Sequence, residues 1–247
     1  MPQNVQNELQ FFSKSSREPI YDRRLAERVI FLADLKPNSL ILDAGCGEGY
    51  WGRAFANSGH QVVGIDLSSK VISRAAEKAV PGQSFLVGNL LEKLPFANKH
   101  FDCIICGCIL HHFPDKEDIN TAFHNFYDCL KNGGKIILVE PNGSNPIVCL
   151  SRQIGRFLVR YYSKDIASEN ETMHSVKTYL GLLEKNKLKV LTVESYHHDM
   201  SGKMKNNKNN LINFMSMIRR LLYNIIWATF PEPYRGNEVI IIARKNP

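Results

Sequence analysis

Three groups of residues in this 247-residue chain have types and spacings suited to chemistry. The first is Leu40-Ile41-Leu42-Asp43-Ala44-Gly45-Cys46-Gly47-Glu48-Gly49, an apolar run that opens into a turn with glycine at every second position. Glycines there permit unusual dihedrals and let a ligand approach the backbone. Dinucleotide folds also place a glycine-rich turn after their first strand, but the spacing here is G-x-G-x-G. Tyr50 stands where the dinucleotide fingerprint has its third small residue. Asp43 and Glu48 flank the turn, so a pyrophosphate would be repelled and a phosphate-free, cationic ligand favoured. The second group starts with Asp66, about twenty residues beyond the loop, the distance at which related folds place a ribose-binding acid. A carboxylate accepts hydrogen bonds from both ribose hydroxyls. Leu67 is placed to lie on a base, and Asn89 and Leu90, after the next strand, to meet its edge with an amide and a backbone donor. The third group is His111-His112, where an imidazole can line an acceptor pocket and act as general base.

The six cysteines, Cys46, Cys103, Cys106, Cys108, Cys129 and Cys149, raise a competing chemistry. Cys103-Ile104-Ile105-Cys106-Gly107-Cys108 looks like a metal site. The segment Phe101 to Leu110 reads as a buried strand, however, and residues three apart on a strand point to opposite faces. Two such thiolates cannot share a tetrahedral zinc ion. No metal is expected there; buried reduced thiols are, in a reducing cytoplasm.

These groups need elements to position them. A helix is expected over Ile20 to Leu35, with Pro19 suited to its first turn. Strands are expected at Ser39–Asp43, Gln61–Asp66, Ser84–Val87, Phe101–Leu110 and Lys135–Glu140. Between them lie helices over Tyr50–Ser58, one capped by Ser68 or Ser69 and running to Ala79, and Lys116–Leu130, the last stopped by Asn132-Gly133-Gly134. Strand alternating with helix predicts βαβ units and a parallel sheet, with ligands gathered at the carboxyl ends of the strands. Beyond residue 141 the pattern loosens. Helices are expected over Pro146–Tyr162 and Val176–Lys185, final strands over Lys187–Ser195 and Glu238–Arg244, and a loop over Ser163–Met173. An insertion follows residue 200, a Lys/Asn-rich loop leading into an amphipathic helix over Leu211–Phe230. The whole reads as one domain over residues 1–247. Its core is 38–141 plus 187–195 and 238–244; its cap elements are 1–35, 142–175 and 200–232.

Taken together, these motifs resemble the class I S-adenosylmethionine-dependent methyltransferases, particularly their small-molecule branch. The resemblance rests on residues 43–49, Asp66, Leu94-Pro95-Phe96 through Phe101-Asp102, His111-His112-Phe113, and Leu130-Lys131-Asn132-Gly133-Gly134-Lys135. It covers roughly residues 38–141. Asn89 departs from the pattern, since the family commonly carries Asp there. The resemblance implies an α/β fold: a Rossmann-like, seven-stranded, mostly parallel sheet with helices on both faces, an antiparallel last strand and a small helical cap. It implies S-adenosylmethionine as cofactor and S-adenosylhomocysteine as product, held by Asp43, Gly45, Cys46, Gly47, Gly49, Asp66, Leu67, Asn89 and Leu90, with Tyr21 over the methionine part. It implies methyl transfer to an O, N or C nucleophile of a small or lipid-like acceptor at His111 and His112. Glu140, at the end of the fifth strand, touches either that acceptor or a neighbouring loop. Tyr161, Tyr162, His174, His197, His198 and Trp227 are further candidates to read it.

The formal net charge of +7 invites anionic partners. Arg219-Arg220 with Lys203, Lys205 and Lys208 would suit an anionic membrane surface, against the plainer reading of a cap helix or a dimer contact. Nucleic acid is disfavoured. No aromatic-basic stretch forms a stacking platform, and Gly107-Cys108-Ile109-Leu110 is not the Asn/Asp-Pro-Pro-aromatic motif of enzymes that methylate exocyclic base amines. RNA methylation by another route, or a non-catalytic cofactor-binding module, stays as an alternative. Met1 to Arg17 lacks the apolar core and cleavage site of a signal peptide, so a cytoplasmic location is expected.

Overall fold

Leu40–Ala44, four of its five residues buried, is an interior strand of a seven-stranded sheet. The computed structural model describes residues 22–113, 115–150, 153, 171–197, 221, 231–232 and 234–246. In chain order these give α1 (Arg23–Ala33), β1 (Leu40–Ala44), α2 (Tyr50–Ala56), β2 (Gln61–Asp66), α3 (Ser69–Glu77), β3 (Gln83–Val87) and β4 (Phe101–Gly107). A 3-10 turn (Leu110–His112), α4 (Lys116–Cys129), β5 (Leu130–Pro141), α5 (Val176–Lys185), β6 (Leu188–Tyr196) and β7 (Glu238–Lys245) follow. The strand order is β3-β2-β1-β4-β5-β7-β6. Strands β1 to β5 pair in parallel, and β7 runs antiparallel to both β5 and β6. The chain moves outward from β1 on one side and resumes with β4 on the other. The switch point therefore lies between the carboxyl ends of β1 and β4.

Period-2 alternation sorts the core into two layers. Cys103 and Ile105 of β4 pack with Leu25, Val29, Trp51 and Phe55 of α1 and α2. Ile104 and Cys106 pack on the other face with Phe123, Phe126 and Tyr179 of α4 and α5. Each such side chain contributes roughly 1.5–3 kcal/mol by leaving water. The two cysteines do lie on opposite faces, and burial pushes both thiols far up from their ordinary acidity.

Two boundaries differ from expectation for identifiable reasons. Strand β4 ends at Gly107, not Leu110. The Trp51 indole occupies the place a side chain at Gly107 would need, and Cys108 then turns to φ 58°. Strand β5 starts at Leu130, where a helix end and a glycine stop were expected. Leu130 pairs with Phe101 and Lys135 with Cys103, so residues 131–134 bulge opposite Asp102, with Gly133 at φ 74°. The helix has already ended at Cys129, and the glycines lie within the next strand.

Residues 146–150 are helical, as expected for the start of the Pro146–Tyr162 segment. The rest of that helix apart from residue 153, residues 163–170 of the following loop, the Lys/Asn-rich loop and all but residue 221 of Leu211–Phe230 lie outside the described residues. So do Pro19, Tyr21, Tyr161, Tyr162, His198 and Trp227. Among the described residues no helix is long and apolar enough to cross a membrane. A recess lined by Asn98, Lys99, Tyr127, Asp128 and Lys245 lies at the amino ends of β4 and β5, opposite the switch point.

Candidate functional site

The glycine turn after β1 is sewn to the end of β2. The N–H groups of Gly45 and Cys46 both donate to the Ile65 carbonyl, at 2.8 and 3.0 Å, and Gly47 N–H donates to Asp66 Oδ2 at 3.0 Å. Gly45, Gly47 and Gly49 all have positive φ, at 69°, 52° and 78°. Their surroundings differ. A side chain at Gly45 would collide with Ile109, and one at Gly49 with the Phe85 ring; at Gly47 it would meet nothing within 4 Å. Gly47 is thus the point where the backbone lies open to a ligand.

The two acidic residues flanking the turn have structural partners. Asp43, 1% exposed, accepts the Gly52 N–H at 2.8 Å and so ties the first turn of α2 to β1. Burial pushes its carboxyl up to about 7 against the Gly52 hydrogen bond, with Asp66 adding to the rise. Glu48 lies 2.8 Å from Arg74 of α3 and 2.6 Å from Lys78 at that helix's C-cap. Its charge is spent on that helix, which corrects its expected role in repelling a pyrophosphate. Cys46 is buried beside the turn.

Asp66 ends β2 at the mouth of this cradle. Its Oδ1 accepts from Ser68 N–H at 2.9 Å and its Oδ2 from Gly47 N–H. Burial raises its carboxyl, and these N–H groups and the His112 side chain oppose the rise. Each carboxylate oxygen keeps a second lone pair, so the pair of hydroxyls on a ribose still finds acceptors. Leu67 is half-buried beside it, and Ser68 caps α3 through Val71 N–H. Asn89 accepts from Leu91 N–H and donates to Glu92, while Leu90 is buried. An open glycine backbone and an acid at the strand end suit a nucleoside ligand whose ribose hydroxyls need acceptors, such as S-adenosylmethionine.

Across the switch point, the segment after β4 is built around Glu140. This residue closes the apolar run Ile136-Ile137-Leu138-Val139 and is 0% exposed. Its Oε1 accepts the N–H groups of Ile109 and Leu110 at 2.9 and 2.7 Å, and its Oε2 that of His111 at 3.4 Å. The same Oε2 lies 2.8 Å from His111 Nδ1. With a carboxylate as partner, Nδ1 must carry the proton and Nε2 the lone pair. Burial lowers the tendency of His111 to protonate, His112 lowers it further, and Glu140 opposes both. His111 is therefore a neutral imidazole with an oriented lone pair. The His112 ring is 4.1 Å from it, centroid to centroid.

The turn is buttressed from a segment with no sequence signal. Thr172 N–H donates to the His111 carbonyl at 2.7 Å, and His174 Nε2 lies 2.8 Å from the Phe113 carbonyl. This carries Glu171 to the histidines: one ligand atom from each of His111, His112 and Glu171 lies within 4.8 Å of the others. His174 is thus a bracing residue. Of the two readings of Glu140, the loop contact is the one formed. A lone acid ending a fully apolar strand was the available clue to it; Glu171, within a polar loop, offered none.

Residues 41–134 match the family model described as a methyltransferase domain. Among curated relatives, phosphoethanolamine N-methyltransferase 1 of Triticum aestivum is 31% identical over 195 residues, 68% of this chain and 38% of the relative. The 18S rRNA (guanine-N(7))-methyltransferase of Mus musculus is 28% identical over 162 residues, 61% of this chain and 57% of the relative. The chain spans about half the length of the first curated relatives it matches. Among solved structures, geranyl diphosphate C-methyltransferase from Streptomyces coelicolor A3(2) superposes with a TM-score of 0.68 at 16% identity, covering 99% of each chain. Glycine cradle, strand-end acid and sheet order coincide with the matched stretch, and through it the chain belongs with the class I S-adenosylmethionine-dependent methyltransferases.

Proposed function

We propose that this chain transfers a methyl group from S-adenosylmethionine to a nucleophilic atom of a small molecule, with the acceptor seated against His111 and His112. The observation that carries this reading is the meeting of two half-sites at one switch point. On one side is the open Gly47 backbone with Asp66 behind it; on the other is the His111 lone pair aimed by Glu140. The cofactor, when bound, supplies an activated methyl on a sulfonium.

The protein's part is placement. Asp66 holds the ribose end and the Gly45–Gly49 turn fits beneath the ligand, which sets its reach toward residues 109–112. Holding two reactants in line lowers a barrier by roughly 7–11 kcal/mol in favourable cases. Activation of the acceptor falls to the His111 lone pair, kept unprotonated by burial. Leu67 and the Asn89–Leu90 turn are proposed to border the base, and Tyr21 the methionine part.

A small acceptor is supported by the relative with a phosphoethanolamine N-methyltransferase name, 31% identical over 68% of this chain, while a relative with an 18S rRNA (guanine-N(7))-methyltransferase name, 24% identical over 77% of this chain, keeps RNA as the second reading. The segment after β4 reads Gly107-Cys108-Ile109-Leu110, which speaks against methylation of exocyclic base amines only. The test is incubation with methyl-labelled cofactor, offered in parallel a metabolite extract and purified ribosomal RNA. Label in a small organic product is expected. Label confined to RNA would make the alternative correct, and cofactor binding without turnover of either would leave a binding module.

A further inference from the structure

We propose that His111, His112 and Glu171 bind one divalent transition-metal ion on the acceptor side of the cleft, and that the acceptor is an oxygen compound that chelates it. This deepens the proposed function and rests on its placement of the acceptor at residues 111–112. Two imidazoles and a carboxylate form a common three-ligand set for zinc and for other first-row ions, and three protein ligands leave coordination positions open to a substrate. Their ligand atoms lie within 4.8 Å of one another. Bonds of ~2.0–2.2 Å need ligands about 3–4 Å apart, so the three side chains have to draw closer as an ion binds.

Three further features distinguish this group from a chance cluster. His111 Nδ1 is already engaged with Glu140 at 2.8 Å, so the atom it has to offer is Nε2. A buried carboxylate behind a ligating imidazole is the usual outer-shell arrangement of metal-binding histidines. Glu171 is also no drifting surface acid: its neighbour Thr172 is bonded to the His111 carbonyl, and His174 to that of Phe113. The local charge balance accepts a second cation beside a sulfonium, because Asp66, Glu140 and Glu171 all lie in this part of the cleft.

With the His111 lone pair holding the ion, activation passes from the imidazole to the ion: an acceptor hydroxyl bound there loses its proton more readily, and its oxygen is left as the nucleophile. A neighbouring oxygen on the same ion would hold it in line. In the transfer the S–CH3 bond breaks as the O–CH3 bond forms, the sulfonium takes the electron pair as a neutral thioether, and the hydroxyl proton passes to solvent.

The test uses the full chain, stripped with a chelator and titrated calorimetrically with Zn2+, Mn2+ and Co2+ in turn. One ion per chain is expected, with visible d–d absorption from bound Co2+. Glu171→Gln should weaken the binding at least tenfold and Glu171→Asp restore part of it; His112→Asn provides an independent second ligand change. Absence of stoichiometric binding by all three ions, or binding unchanged in both Glu171→Gln and His112→Asn, overturns the site. If an ion binds but methyl transfer is insensitive to its removal, the chelating acceptor is overturned. S-adenosylmethionine affinity is measured on the same stripped protein: its loss there would count against the proposed function, whereas loss of ion binding alone counts against this inference.

Discussion

Asp66 serves two masters, and a substitution can separate them. Its oxygens hold the Gly47 and Ser68 N–H groups and are the proposed ribose acceptors. Asp66→Asn keeps a carbonyl acceptor but removes the charge, and charge-assisted hydrogen bonds are worth about 1.5–3 kcal/mol. Affinity for S-adenosylmethionine should fall about ten- to a hundredfold by calorimetry, with a smaller change in melting temperature. Asp43 behaves differently because burial lifts its carboxyl from 3.8 to about 7. Between those values the folded chain keeps a proton that the unfolded chain has released. Its contribution to stability is therefore full at the acidic end and declines as pH rises toward 7. Asp43→Asn can still accept from Gly52, and thermal melts across that window should show the variant gaining on the parent as pH rises. At the acceptor side, Glu140→Gln presents an amide donor to His111 Nδ1 and favours the wrong tautomer. Single-turnover transfer should drop on the order of a hundredfold or more, with S-adenosylmethionine affinity little changed. A transfer rate equal to the parent's in this variant and in His111→Ala would remove His111 from the chemistry.

At the scale of elements, the turn after β1 makes a prediction its glycine pattern alone could not. Gly45→Ala meets Ile109 as well as a left-handed φ of 69°. Gly47→Ala meets only the φ, which costs roughly 1–2 kcal/mol. Gly45→Ala should therefore lower the melting temperature more, while Gly47→Ala should spare the fold and lose cofactor affinity, because its methyl enters the ligand's space. Differential scanning fluorimetry with and without cofactor reads both. The strand–turn–helix order was legible in the chain because apolar runs, glycine stops and the Ser68 cap are local signals. What was not legible is where long-range packing overrides them. Strand β4 stops early because Trp51 of α2 presses on Gly107, and β5 begins early because Leu130 finds a ladder partner in Phe101. The same holds for the site. Asp66 and the histidine pair announce themselves by position, but Glu48 turns to α3, and Glu140 and Glu171 reach His111 from residues 29 and 60 positions further on.

Across the whole molecule, the second half of the sheet is held to the first by buried amides. Asn142 and Asn145 donate to the carbonyls of Arg235 and Gly236, joining the end of β5 to the approach to β7. Arg28 of α1 reaches Glu194 of β6 through two bonds of 2.6 and 2.8 Å, but both side chains are partly exposed. A surface pair of this kind contributes about 0.2–1 kcal/mol. Leaving a buried polar group without its partner costs about 1–3 kcal/mol. Asn142→Ala should accordingly depress the melting temperature more than Arg28→Ala, and the reverse order would mean that the ion pair is the principal tie. The mostly parallel sheet could be read from the alternation of strand and helix, and the resemblance implied an antiparallel last strand, whereas the insertion of β7 between β5 and β6 came from the structure alone, since pairing order leaves no local mark.

That insertion has a consequence in time. Residues 238–245 are made after 188–196, yet β6 has β7 as its sheet neighbour and β5 its second partner in the same strand. While the chain is being synthesised, β5 must wait as an open edge and β6 as a strand without a sheet. The five parallel strands and the residues of both half-sites are already present at that stage, so a binding pocket can be assembled before the sheet that stabilises it is closed. Non-local pairing of this kind is slow and leaves edges exposed to other chains. A ligand that binds the half-built pocket would then act on folding yield as well as on the finished protein.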